Sequence, residues 1–138
     1  DVIFATVRPT LKRIALVPCD LDGQICSTGF CVLRANRENL NPLYLYYYLL
    51  TEQIAKKVDI LQKGATYPAI SDSELLNQVA PIPSINEQAQ IAGILRACDS
   101  KIAALEHEAR LLQELFRAML EELMSGRLPA GALVEDAA

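Results

Sequence analysis

Arg8, Thr10, Lys12 and Arg13 crowd into one short stretch, RPTLKR (8–13). Those side chains carry one chemistry between them. A guanidinium presents paired N–H groups to a guanine edge or a phosphate, an ammonium meets phosphate as a point charge, and a hydroxyl serves either. The stretch reads as a DNA-facing loop; the plainer alternative is a solvated hairpin tip. A second group follows in QKGATYPAI (62–70), where Lys63, Thr66 and Tyr67 surround Gly64. Glycine lets backbone approach a partner closely, lysine can meet phosphate, and tyrosine can stack or hydrogen-bond. Here the alternative is a loop in which Tyr67 packs on its own domain and Gly64 adopts a positive φ. Ser27, Thr28 and Gly29 interrupt an apolar run and read as a bulge rather than a contact.

Catalysis finds little support. Cys98 and His107 lie about 180° apart around one helix, so they cannot meet on it. The four cysteines (Cys19, Cys26, Cys31 and Cys98) contain no CxxC pair, and His107 is the sole histidine. No metal site, no cofactor and no catalytic residue is expected. Glu87 is accounted for by a capping box with Ser84, and Gln88 by docking of a helix or a partner subunit. Tyr44, Tyr46, Tyr47 and Tyr48 surround a helix and read as packing.

The 138 residues are 51% hydrophobic and 22% charged, a folding composition. No run of about 18 apolar residues is present, so no membrane span is expected. Without a secretion signal the thiols read as buried and cytosolic, and the localisation as cytoplasmic. The first residue is Asp1, not Met, which suggests a fragment of a longer chain. The net charge of −4 is unevenly spread: residues 1–84 carry eight bases and eight acids, residues 85–138 five bases and nine acids. The acidity belongs to the C-terminal part, so it does not argue against DNA at the front.

The elements that must position these groups are legible from periodicity. DVIFATV (1–7) and IALVP (14–18) read as strands around the basic turn, and ICSTGFCVLRA (25–35) as a third, together a small antiparallel sheet. Asn41 and Pro42 open a helix over 42–60, with Leu43, Tyr46, Tyr47, Leu50 and Ile54 on its packed face. Ser71 and Glu74 form a capping box for a short helical turn, 72–77, and QVAPIP (78–83) is extended.

Ser84 and Glu87 open the last element. From there Ile91, Cys98, Leu105, Leu112 and Met119 repeat every seventh residue, and Leu95, Ile102, Ala109, Phe116 and Leu123 follow each by four. A 3-4 apolar repeat over five heptads, ended by Gly126 and Pro129, predicts a helix over 84–126. At 1.5 Å per residue it would reach about 60 Å, longer than a domain of about 80 residues can cover. Its seam needs a second long helix, from another copy, another chain or another part of the same one.

The run GATYPAISDSELLNQVAPIPSINEQAQIAGILRACDSKI resembles the end of a target recognition domain and the long conserved helix of specificity subunits of type I restriction-modification systems. Gly64, Ile70, Leu76, Pro81, Pro83, Glu87, Gln88, Ile91, Leu95 and Gly126 take the family's places, and the front strands and LNPLYLYYYLLT also fit. The resemblance implies an α+β fold: a small α/β target recognition domain over 1–83, lacking its opening segment, a long helix over 84–126 that forms an antiparallel coiled coil, and a flexible tail over 127–138. It implies a non-catalytic subunit that reads one half of a bipartite target in double-stranded DNA and docks methyltransferase and restriction subunits. A homodimer through the helix is expected when the chain stands alone. The alternative is a coiled-coil assembly protein that does not read DNA.

Overall fold

A computed structural model describes residues 1–64 and 66–131. They divide into two units, one of residues 1–95 and one from residue 96 onward. The first is built on a three-stranded antiparallel sheet of order β2-β1-β3, with β1 Val2–Ala5, β2 Ile14–Leu16 and β3 Phe30–Leu33. Strand alternation decides its faces: Val2 and Phe4 are buried, with Cys31 and Leu33 beside them, while Ile3 stands on the other face next to Ala15 and Val32.

The predicted strands shorten for identifiable reasons. β1 stops at Ala5, yet its pairing continues through Thr6, whose N–H donates to Gly29 O and whose carbonyl accepts from Ile70 N. Residues 25–29 therefore have no strand of their own. Cys19–Leu21 coils into a 3-10 turn, Gly23 takes φ 77°, and Phe30 N donates back to Ser27 O. Ser27 to Gly29 is thus a turn into β3, not a bulge within a longer strand. Of the cysteines only Cys31 is buried, and burial pushes its thiol pKa up; Cys19, Cys26 and Cys98 are exposed.

The helix predicted over 42–60 is two helices, α1 Pro42–Leu49 and α2 Glu52–Leu61. Asn41 caps the first, its Oδ1 accepting from Leu43 N and Tyr44 N. Thr51 breaks the run: it is extended (ψ 151°), caps α2 by accepting from Ile54 N, and donates its hydroxyl to Tyr48 O. The step changes the inward face. Of the expected face, Ile54 is buried and Tyr46 packs half-buried on the core, but Tyr48, Leu49 and Val58 are the other buried residues, and Leu43, Tyr47 and Leu50 are only half-buried. With Ile70 and Leu75 they close the core over the sheet. Tyr44 and Tyr48 donate their hydroxyls to Pro81 O and Val79 O, which pins the extended segment.

Two capping boxes form as predicted. Ser71 and Glu74 open α3, Asp72–Leu76. Ser84 and Glu87 open α4, Ile85–Met124, through Ser84 N to Glu87 Oε2 and Glu87 N to Ser84 Oγ. Gln88, in the first turns of α4, is fully buried. Its Oε1 accepts from Asn41 N at 2.8 Å, and its Nε2 donates to Asn39 O at 2.9 Å and Pro83 O at 2.8 Å.

In the unit from residue 96 the helix continues to Met124 and ends where Gly126 takes φ 74° and Leu128 N donates back to Glu122 O. Arg127 pairs with Glu122, so the first residues of the predicted tail fasten to the helix end. The rest of that tail, 132–138, lies outside the described residues. No helix among the described residues is long and apolar enough to cross a membrane.

Candidate nucleic-acid interface

The basic turn has an uncommon backbone. Pro9–Leu11 forms a 3-10 turn closed by Leu11 N to Arg8 O and Lys12 N to Pro9 O. The residues on either side, Arg8 and Lys12, both have φ 50°, the left-handed region. For residues with a Cβ that conformation costs about 1–2 kcal/mol each. It persists here because the surroundings over-determine it. Pro9 is buried, Arg8 N donates to Pro68 O at 2.7 Å, and Ala5 N donates to Arg13 O at 3.0 Å.

The Gly64 loop folds against this turn. Lys63 and Ala69 exchange both backbone hydrogen bonds at 2.9 Å, and Ala69 also bridges to Val7 beyond β1. Gly64 has φ 101°, and a Cβ there would stand 3.1 Å from the Tyr67 carbonyl oxygen, so a side chain is disfavoured twice. The closed loop brings Tyr67 under Arg8, whose guanidinium carbon lies 5.0 Å from the ring centroid. Two segments nearly sixty residues apart thus meet through a cation–π stack. A guanidinium lying on a ring keeps its edge N–H groups free for a phosphate or a base.

The seven predicted contact residues fall into three sets. Arg8 and Tyr67 touch. Lys12 and Lys63 each pair with a carboxylate: Lys12 with Glu52 at the start of α2, Lys63 with Glu74 at 2.7 Å in the first turn of α3. Thr10, Arg13 and Thr66 are exposed. The carboxylates are what sequence reasoning missed. Glu74 was visible as a capping-box partner, but its second bond, to a lysine in another loop, needs the tertiary fold. The Lys63 ammonium, with the Ser71 N–H and hydroxyl, brings the Glu74 pKa down to about 2; the Lys12 ammonium lowers that of Glu52. Both carboxylates are ionised at neutral pH.

The ten predicted seam residues lie along α4. Ile91, Leu95, Ile102, Leu105, Leu112 and Phe116 are exposed, Leu105 by 49% and Phe116 by 68%. Cys98 and Ala109 are exposed, and Met119 and Leu123 are half-buried. Residues off the seam, Ile94, Leu111, Leu115, Leu120 and Met124, are exposed as well. His107 stands beside Arg110, its Nδ1 3.3 Å from Nη2. No group of three or more His, Cys, Asp or Glu that could hold a metal ion occurs among the described residues.

Residues 13–115 match the family model described as the type I restriction modification DNA specificity domain. Among curated proteins, the chain is 25% identical over 126 residues to the putative type I restriction enzyme MjaX specificity subunit of Methanocaldococcus jannaschii, covering 91% of this chain and 28% of that protein. It is 24% identical over 123 residues to the type I restriction enzyme HindI specificity subunit of Haemophilus influenzae, covering 88% and 27%. Among solved structures, it is similar to the HsdS subunit from Thermoanaerobacter tengcongensis, with a TM-score of 0.60 and 42% identity over 88% of this chain and 30% of that one. A chain from a type I R-M system, solved in a study of complex assembly and conformational transition, aligns with a TM-score of 0.74 and 38% identity over 94% and 33%. The chain spans a third or less of the length of each of these proteins.

Proposed function

Because the chain belongs to the type I restriction modification DNA specificity domain family, we propose that it reads one half of a bipartite DNA target and docks methyltransferase and restriction subunits. It does so as a non-catalytic component acting in the cytoplasm. The observation that supports this reading is the Arg8–Tyr67 contact, which brings the two predicted contact loops together. Unstrained alternatives exist for an ordinary hairpin tip; two left-handed residues held in place there favour a surface shaped for a ligand. In the same reading α4 pairs antiparallel with a second long helix, from another copy or another specificity chain. The exposed apolar row from Ile91 to Phe116 supports that pairing.

Changing Arg8 and Lys12 together to alanine is expected to weaken duplex binding about 100-fold, given about 1–3 kcal/mol for a good base or phosphate contact. Self-association should not change. Fluorescence anisotropy with a labelled duplex and sedimentation of the same samples read the two effects separately.

One observation favours the assembly-only reading instead: Lys12 and Lys63 are already paired with carboxylates. Methylation mapping separates the two. The chain is co-expressed with the methyltransferase subunit of its own system, and modified bases in the host DNA are sequenced. A split palindromic motif is the outcome for a homodimer that reads DNA, and a split asymmetric motif for pairing with a different recognition domain. No new methylation from a complex that still co-purifies sinks the DNA reading and leaves the assembly role.

A further inference from the structure

The two acidic partners have a common placement. Glu52 opens α2 and Glu74 sits in the first turn of α3, each where helix N–H groups favour a negative charge. Each faces the one lysine of its neighbouring contact loop, and Arg8 with Tyr67 lies on those same two loops. Each loop thus sets its lysine on a carboxylate, and the Arg8–Tyr67 contact ties the two loops together.

We propose that Glu52 and Glu74 are positioning residues for DNA recognition that stand in for phosphate. They hold Lys12 and Lys63 extended in the unbound chain, and each lysine passes from carboxylate to phosphate when a duplex docks. This rests on the DNA reading above and deepens it.

The physical grounds are three. Each pair has one mostly exposed partner, Glu52 in one and Lys63 in the other, against a half-buried Lys12 and Glu74, so water reaches both pairs and opening them costs little. Glu74 stays charged after its lysine leaves, because the capping-box N–H and hydroxyl of Ser71 still hold it, and Glu52 stays charged as an ordinary exposed carboxylate at neutral pH. The exchange consequently opposes loose attachment to any polyanion, since each phosphate must first displace the carboxylate that holds the lysine. The Arg8 contact meets no such competitor among the described residues, as its partner is an uncharged ring. Adhesion to arbitrary DNA is weakened more than a docked, arginine-read complex, which widens discrimination.

The test uses the 138-residue chain and a random-sequence duplex as probe. Glu52→Gln and Glu74→Gln keep size and, for Glu74, the capping-box geometry, which glutamine also serves. Each change is expected to tighten random-duplex binding about fivefold at moderate salt, with the fold retained by circular dichroism. The decisive measurement repeats Glu52→Gln in a Lys12→Met background and Glu74→Gln in a Lys63→Met background. There the gain should disappear. A gain that survives without the lysine means simple repulsion between carboxylate and DNA, and overturns the exchange. Unchanged affinity in both glutamine variants, while the unaltered chain binds, also overturns it and leaves the DNA reading standing. No binding by any form, unaltered chain included, removes the DNA reading and this proposal with it.

Discussion

Gln88→Leu is expected to lower the stability of the first unit by about 3 kcal/mol, a loss of the size that leaving buried hydrogen-bonding groups without partners produces. The side chain satisfies three backbone groups at once: Asn41 N–H, Asn39 C=O and Pro83 C=O. One accepting oxygen and two donating hydrogens match that set completely, which also determines which way the amide points. Leucine fits the volume and offers nothing to any of the three. For a unit of about this size the melting temperature should fall by roughly 15 °C. Gln88→Glu is the informative companion. A carboxylate can still accept from Asn41 but cannot donate to two carbonyls, so it should be no better than leucine at neutral pH. Urea melts followed by circular dichroism measure both. A drop of only a few degrees for Gln88→Leu would mean that water replaces the amide, and that the side chain is not what joins the start of α4 to the residues before α1.

The second large effect concerns the seam. Leu105 lies at its middle, 49% exposed in the single chain. If α4 pairs as proposed, Leu105→Asp places a carboxylate between two apolar faces, where it must stay charged without a partner or take up a proton. In a homodimer the change occurs twice. The dissociation constant should rise about 1,000-fold or more. Helix content from Ile85 to Met124 should fall as well, because an isolated helix of this kind draws most of its stability from packing. Analytical ultracentrifugation gives the first number and circular dichroism the second. A dimer that persists after Leu105→Asp would move the pairing face to the exposed apolar residues off the seam, such as Leu111 and Leu115.

The parts legible in the sequence were those with strictly local causes. The two capping boxes, the Asn41 cap and the forty-residue α4 each follow from residues within a few positions of one another. The small antiparallel sheet was legible too, through β-branched runs and turn residues. What escaped was decided by competition or by distance. Thr51 lost to the apolar period around it when 42–60 was read as one helix, although Thr followed by Glu and Gln is itself a start signal; the observed Thr51 cap shows which preference wins once the core selects Ile54 and Val58. The third strand was read too long because nothing local reveals that Thr6 pairs with Gly29 while Ile25 stays 98% exposed. Both basic loops were singled out from residue type alone, but their meeting through Arg8 and Tyr67 was not, nor were the carboxylates on Lys12 and Lys63. Those contacts join residues 40 and 11 positions apart for the ion pairs, and further for the stack. The sequence marks Gln88 as a docking residue, whereas its complete burial depends on where residues 39 to 41 run.

The left-handed backbone at Arg8 and Lys12 also acts as a filter on how this surface can diversify. Valine, isoleucine and threonine tolerate φ near 50° poorly, while glycine, asparagine and aspartate tolerate it well. An altered preference arising at those two positions must therefore draw on glycine, asparagine, aspartate or unbranched side chains such as the arginine and lysine present, and not on β-branched ones. Thr10 and Arg13 have no positive φ and are free of that restriction. Divergence within this loop is channelled toward its tip and its exit, with the two shoulders left to hold its shape.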